Sequence, residues 1–484
     1  MITLFPDQIE FVEKIRQAFR SHKRVLGQAA TGFGKTVVGT HMAKRAVDKA
    51  PGILWTNHRD FLLDQTSATF SLEGIPHSFM AAGRKLDPTA PVWIASVGSI
   101  RSRAEKIPAP RFVVIDECHH TAAGTWSAIL ERWPDAHVLG LTATPQRLDG
   151  KGLDAFFDCM VLGPPVAWLI DNGRLSKYRA FSLGAPDLSG VRTIAGDYDQ
   201  EEIAAIMDRR QLRGDTVAHY RKYALGKRAV YFAVTVAHSK NLAATFCDAG
   251  IPAEHLDAHS PSVERIAAAK RLASGETSVL CNVDIFGEGY DLSAQAGQSV
   301  SVEVVGLCRP THSLVLHLQQ VGRALRPKAE PAIILDHAGN LLRHGLPDQE
   351  RAWSLKGQKK KKKGEEPEPD VKECPECFAV VPRSVTECPE CGYVFETTKK
   401  ILEITDGELV ELKRLSLEEQ RAAAERLKRE RKEEEWRATS VVELAAIGRR
   451  RGYKYPEAWA AKLFSIREAR HWQWQEKRTY GAWN

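Results

Sequence analysis

The sequence contains no run of 18 uncharged apolar residues, so no membrane-spanning helix is expected. Its opening residues, MITLFPDQIEF, show no basic stretch followed by an apolar core and a small-residue cleavage site. No secretory leader is therefore expected, and the cytoplasm is the expected location. No internal repeat is visible. A strong charge of one sign is also missing: 68 Lys and Arg stand against 61 Asp and Glu, which leaves +7. That mild excess is compatible with a polyanionic partner and does not prove one. Cysteines number nine in 484 residues. Five of them (Cys118, Cys159, Cys247, Cys281 and Cys308) are isolated and read as small buried hydrophobes. The other four form two CxxC units, a pattern of metal ligands rather than of a disulfide framework.

What is present is a globular composition, 43% hydrophobic and 27% charged, on a chain long enough for two or three cores. Residues 1–165 alternate strand-length apolar runs (RVLGQ, GILWTN, VWIAS, RFVVIDE, HVLGLTA) with helical patterns. This predicts an α/β domain with a largely parallel sheet. Residues 166–355 open with a less regular crossover and then repeat the α/β pattern from RAVYFAV to AIILDHA. Residues 356–370, with five consecutive lysines (Lys359–Lys363) and an acidic run, read as a solvated linker whose lysines could also touch phosphates. A cysteine module follows at 371–396. A further linker and a charged helix occupy 397–438, and 439–484 form an aromatic and basic tail.

Three segments of the first domain carry chemistry. AATGFGKT, residues 29–36, stands between a strand and a helical pattern, as a phosphate-binding loop requires. Gly32 and Gly34 allow amide groups to face phosphates, Lys35 supplies a mobile positive charge, and Thr36 offers a hydroxyl to Mg²⁺. The first position, Ala29, is glycine in the strict pattern. FVVIDECHH, residues 112–120, carries two carboxylates out of a buried strand: Asp116 suits the Mg²⁺ shell and Glu117 suits polarisation of an attacking water. His119 reads either as a coupling residue or as a cap at the strand end. LGLTATPQR, residues 139–147, offers Thr142 and Thr144 beside a proline turn, either to sense the nucleotide or as an ordinary loop.

The order AATGFGKT, DECHH, LTATPQR, GEGYDLS and QQVGRALRP resembles that of superfamily 2 helicases and translocases, over roughly residues 4–345. The resemblance implies tandem RecA-like domains, ATP as the nucleotide and nucleic acid as the partner. LFPDQ is similar to the adenine-recognition segment and places Gln8 beside the base, although family members often carry Arg and an aromatic where this chain has Phe5 and Asp7. HRDFLLDQ (58–65), with Arg59 and Gln65, and IASVGSI (94–100), with Ser96 and Ser99, resemble strand-contacting segments. FAVTVAHSKNL (232–242), with His238, resembles a backbone grip, and FGEGYDLS (286–293) resembles the segment joining the two surfaces, with Gly289 and Asp291 on the nucleotide side. The resemblance places arginine fingers at Arg323 and Arg326 and sets Gln319 against the γ-phosphate or its water. An Arg-x-x-Arg spacing puts both guanidiniums on one helix face, where they can stabilise charge on a transferring phosphoryl group.

CPEC-x10-CPEC supplies four thiolates, Cys374, Cys377, Cys388 and Cys391, at the spacing of a zinc ribbon. A closed four-sulfur site of this kind is structural, and Zn²⁺ would supply much of its folding energy. The last residues interleave Tyr453, Tyr455, Trp459 and Phe464 with basic residues, either as a base-stacking groove or as a small helical module. This tail resembles that of the RadD-type DNA-repair ATPases and their phage relatives. That favours DNA over RNA, and a setting of repair, recombination or replication with proteins of those processes as partners. An RNA helicase, a double-stranded DNA translocase that does not unwind, and a non-enzymatic nucleic-acid-binding protein stay open as alternatives.

Overall fold

The computed structural model describes residues 3–58, 60–120, 129–146, 152–182, 186, 188, 190–194, 197–286, 292–356 and 370–395, with a further set between 434 and 465. The first lobe holds β1 (Arg24–Gln28), β2 (Ile53–Asn57), β3 (Ser78–Met80), β4 (Val92–Ser96), β5 (Phe112–Asp116), β6 (His137–Thr142) and β7 (Cys159–Leu162). They form one parallel sheet in the order β3-β4-β2-β5-β6-β1-β7. β2, ILWTN, is buried at every position, as a strand covered by helices on both faces must be. The helices Pro6–Ala18, Lys35–Val47 and Asp60–Leu72 are among those that provide the cover.

The second lobe begins inside the crossover. β8 (Tyr178–Ser182) joins the edge of a second parallel sheet, and a small hairpin of β9 (Thr193–Ile194) and β10 (Asp197–Tyr198) follows. β11 (Ala229–Phe232), β12 (Ala253–Leu256), β13 (Val279–Asn282), β14 (Val304–Leu307) and β15 (Ala332–Asp336) complete that sheet in the order β12-β13-β11-β14-β15-β8. Both lobes carry the parallel α/β sheet that the alternating runs predict, and they are tandem RecA-like domains, as the resemblance implies. The cysteine module is the hairpin of β16 (Val371–Glu373) and β17 (Val380–Pro382), and it is not a separate bead. The amide of Ser182 at the end of β8 donates to Phe378 O at 2.9 Å, and Phe181 pairs with Ala379. Cys374, Ala379, Val381 and Cys388 share a core cluster with Phe181 and Tyr231, so the module covers the open edge of the second sheet.

After the last helix of this lobe (Asn340–His344), the chain straps back across both lobes. The Tyr178 hydroxyl donates to Asp348, and the Arg351 guanidinium donates to the carbonyls of His344, Leu346, Pro347 and Gln349. Leu355 then returns to the first lobe, where its carbonyl accepts from the amides of Leu153 and Asp154 at 2.7 and 3.1 Å and its side chain packs on that lobe's core.

Residues 398–484 form a second compact unit. Within it, Leu444, Ala445 and Ile447 on the helix Val441–Arg450 pack with Ala460, Trp459, Leu463 and Phe464. Trp459 and Phe464 thus serve a small helical core. The lysine run and most of the charged helix lie outside the described residues. Among the described residues, no helix is long and apolar enough to cross a membrane.

Burial holds three of the second lobe's histidines well below the ordinary imidazole value. Burial foremost pushes His337 down to about 3 and His344 down to about 4, and it holds His317 well below its usual value. The unfolded chain therefore takes up protons that the folded lobe refuses. Asp336, pushed up to about 6 by burial, works in the opposite direction but is one group against three. The stability held by the histidines is fully present above about pH 6.5 and is lost as the pH falls toward 4. Urea denaturation followed at pH 7, 6 and 5 should show the midpoint of the second lobe falling at each step.

Candidate active site

Three strand ends converge on one place. In the first sheet, Gln28 of β1 stands beside Thr142 of β6, and Asp116 of β5 stands beside Leu141. The carboxyl ends of such strands are where an open α/β sheet takes its ligand. The loop after β1 turns through Gly32 and Gly34 at φ +87° and +92°, and both are crowded: a Cβ on Gly34 would lie 2.6 Å from Gln8 Nε2, and one on Gly32 would lie 2.9 Å from Leu175 Cδ2. The departure at Ala29 has a physical account. Its methyl faces Gly163, whose missing side chain leaves the room.

Lys35 opens the next helix with 7% of its side chain exposed, and its Nζ lies 3.7 Å from Glu117 Oε1. Thr36 Oγ1 donates to Asp116 Oδ2 at 2.9 Å, while Asp116 Oδ1 accepts the Glu117 amide at 3.1 Å. Burial, and then the charge of Glu117, push the Asp116 carboxyl up to about 6 against the pull of Lys35 and Thr36. A divalent cation would relieve that repulsion, and a hydroxyl beside a carboxylate is a hard oxygen pair suited to Mg²⁺. Glu117 sits at φ +47°, an uncommon backbone for a residue with a side chain.

His119 is buried and spans the cleft. Its Nδ1 lies 2.8 Å from Thr142 Oγ1 and 3.5 Å from Glu117 Oε2, and its Nε2 lies 3.2 Å from Gln319 Nε2 in the second lobe. Thr142 gives its own hydrogen to Thr144 O and accepts the Thr144 amide. The network therefore assigns the ring proton to Nδ1 and leaves Nε2 to accept from the Gln319 amide. Gln319 is 3% exposed, and its Oε1 is buried with no hydrogen-bond partner among the described residues. Three residues on, Gly322 ends the helix Leu314–Gly322 directly over the phosphate loop: a Cβ there would lie 2.5 Å from Thr31 Cγ2. Arg323 is the next residue. The segment carrying Arg326 is pinned by Ser176, whose amide and hydroxyl donate to Leu325 O at 2.9 Å and Arg326 O at 2.8 Å.

The residues expected to face nucleic acid are placed less uniformly. Ser96 Oγ donates to Ser99 Oγ at 2.9 Å, and Gln65 is half-buried with its side chain unengaged among the described residues. His238 is 1% exposed, with Nδ1 accepting the Val234 amide, so it braces a helix start instead of presenting an open grip. Arg59, Gly289 and Asp291 lie outside the described residues. Sequence reasoning missed Thr31, Gly163, Ser176 and Gly322, because their roles depend on which distant backbone lies against them.

The four cysteine sulfurs lie within 4.8 Å of one another, with Cys374–Cys391 and Cys377–Cys388 at 3.6 Å. A tetrahedral site with Zn–S bonds of about 2.3 Å has sulfur–sulfur edges of about 3.8 Å, so the set fits a closed metal site.

A family model for the res subunit of type III restriction enzymes matches residues 1–147, and one for the helicase conserved C-terminal domain matches residues 213–328. The model of an uncharacterised family matches residues 372–397. A 51.5 kDa protein of a Lactococcus phage (isolate 7-9) is 36% identical over 400 residues, covering 80% of this chain and 84% of its own length. Saccharomyces cerevisiae IRC3, named as a candidate ATP-dependent helicase, is 27% identical over 339 residues, which are 65% of this chain and 48% of that protein.

The chain belongs to the superfamily 2 helicases.

A third relative, the endonuclease subunit of the type I restriction enzyme EcoAI of Escherichia coli, is 30% identical over 208 residues, or 40% of this chain and 26% of that one. The helicase thus spans about half the length of the yeast relative and about a quarter of the restriction subunit. It is an enzyme of the helicase-type ATPase class.

Two substitutions test this geometry. Gly322→Val places a side chain against Thr31 and should hold the lobes apart. ATP binding to the first lobe is then expected to persist while turnover drops by about 100-fold, the scale of a displacement of roughly 1 Å in a catalytic constellation. Cys374→Ser should lower the unfolding temperature of the second lobe by roughly 5 °C or more in calorimetry and spare the first, because the module closes the edge of the second sheet.

Proposed function

We propose that this helicase hydrolyses ATP to move along DNA, with the second lobe reading the state of the phosphates held by the first. The observation that carries this reading is the seating of Gly322 on Thr31, one residue before Arg323 and four before Arg326. In this reading Lys35 and the loop amides hold the β- and γ-phosphates, and Thr36 and Asp116 hold Mg²⁺. The ion would neutralise phosphate charge as the bond breaks. Glu117, drawn toward Lys35 and His119, orients and deprotonates the attacking water. The unpaired Oε1 of Gln319 is the acceptor waiting for that water. Arg323 and Arg326 stabilise charge on the transferring group, a contribution of roughly 10³–10⁵ in rate where such arginines have been removed. Loss of the γ-phosphate weakens the cross-cleft contacts, so the lobes part and close once per turnover.

The restriction-enzyme names among the matches favour DNA over RNA. The four-cysteine set takes Zn²⁺ as its ion. Residues 1–165 and 166–355 act as the two moving bodies, in the cytoplasm and in repair, recombination or replication. Measurement of ATP turnover with single-stranded DNA, double-stranded DNA and RNA of equal length is the test. DNA should stimulate, and Glu117→Gln should bind ATP normally and lose roughly 10²–10⁴ in rate. Stimulation by RNA alone would favour the RNA-helicase reading. Displacement of a triplex strand without separation of a duplex would favour a translocase. Full turnover in Glu117→Gln would remove the base assignment.

A further inference from the structure

Phe5 and Asp7 are the two positions at which the segment around Gln8 departs from the family pattern, and one distant residue engages both. The Arg174 guanidinium lies over the Phe5 ring, with Cζ 3.3 Å from the ring centroid. Its Nε donates to Asp7 Oδ1 and Oδ2 at 3.1 and 3.2 Å. Arg174 is 167 residues away in sequence, in the crossover between the lobes. The aromatic ring fixes the plane of the guanidinium, and the buried carboxylate fixes its edge.

The neighbours of this assembly are those of the phosphate loop. Gln8 Nε2 donates to Phe33 O at 2.7 Å and lies against Gly34, and Leu175, next to Arg174, lies against Gly32. The Gln8 amide spends one hydrogen on Phe33 O and one lone pair on the Phe5 amide, which donates to Oε1 at 3.0 Å. One donor and one acceptor remain. That pair matches the N7 acceptor and N6 donor of adenine, whereas guanine offers two acceptors at the same edge.

We propose that Arg174 is a nucleobase-binding residue: its guanidinium, held by Phe5 and Asp7, is the platform on which the adenine of ATP stacks while Gln8 reads its edge. The assignment rests on the reading of the loop as an ATP site. It returns an arginine to the base pocket from the crossover, where the segment around Gln8 has none. Arg174 acts on the base alone, so a triphosphate without a base should not sense its loss.

The test is titration calorimetry on the full chain with the Mg²⁺ salts of ATP, GTP and inorganic tripolyphosphate, with turnover measured in parallel. The wild-type chain should bind ATP about tenfold or more tightly than either of the others. Arg174→Ala should bring ATP down to the level of GTP and leave tripolyphosphate within about twofold. Arg174→Lys, which keeps the charge beside Asp7 but has no plane, should not restore the preference. An unchanged ATP preference in either variant overturns the assignment. So does a parallel loss for all three ligands, which would mark Arg174 as structural. A preference that vanishes in both variants, on a chain whose ATP turnover no nucleic acid stimulates, upholds the base assignment and removes the motor reading. A wild-type chain that binds none of the three ligands removes both.

Discussion

The hydrogen bond from Gln319 to His119 joins the two lobes, and its geometry is set from both sides. On the first lobe, Thr142 spends its hydrogen on the Thr144 carbonyl and so compels His119 to present a lone pair to the cleft. On the second lobe, the helix Leu314–Gly322 brings Gln319 to that lone pair and, one turn later, lays Gly322 on Thr31. A side chain at position 322 or a different ring tautomer at position 119 would break the register between the strand-end carboxylates and the arginine segment. The phosphate loop, the acidic pair and the arginines are each ordinary parts of a nucleotide enzyme. Their alignment across the cleft is what makes them a single site.

The crossover between the lobes is part of that alignment. Arg174, Leu175 and Ser176 are consecutive. They touch the helix bearing Asp7, the phosphate loop at Gly32, and the carbonyls of Leu325 and Arg326. A segment that the sequence presents as irregular is therefore a short strut with three fixed ends. It is irregular because each of its residues answers to a different partner, so no single hydrophobic period can run through it.

This difference explains what was legible in the sequence. The strands were, because a strand buried on both faces carries a run of apolar residues, as Ile53–Trp55 of β2 and Phe112–Ile115 of β5 do. That Lys35, Thr36, Asp116 and Glu117 would stand together was, because phosphate and metal chemistry restricts residue type and spacing together. The four cysteines were, because a tetrahedral sulfur set needs two short loops. Contacts made by backbone or by missing atoms left no mark: Gly163 reveals its purpose only when Ala29 is seen against it, and Gly322 only when Thr31 is. His238, expected from the resemblance to sit in a backbone grip, is buried with its Nδ1 taken up by the Val234 amide, a bond that no sequence pattern announces. The attachment of the cysteine module to β8 was likewise invisible, since an exposed sheet edge and the hairpin that covers it share no pattern.

The return of Leu355 to the first lobe has a mechanical consequence. Because the strap is anchored on the second lobe by Arg351 and on the first by the amides of Leu153 and Asp154, the two halves are leashed at a second point besides the crossover. Only a few residues separate these anchors, and an extended chain spans at most about 3.5 Å per residue. Any excursion that leaves both anchors in place has a short ceiling, and the swing is forced to pivot about the line joining the leash to the crossover.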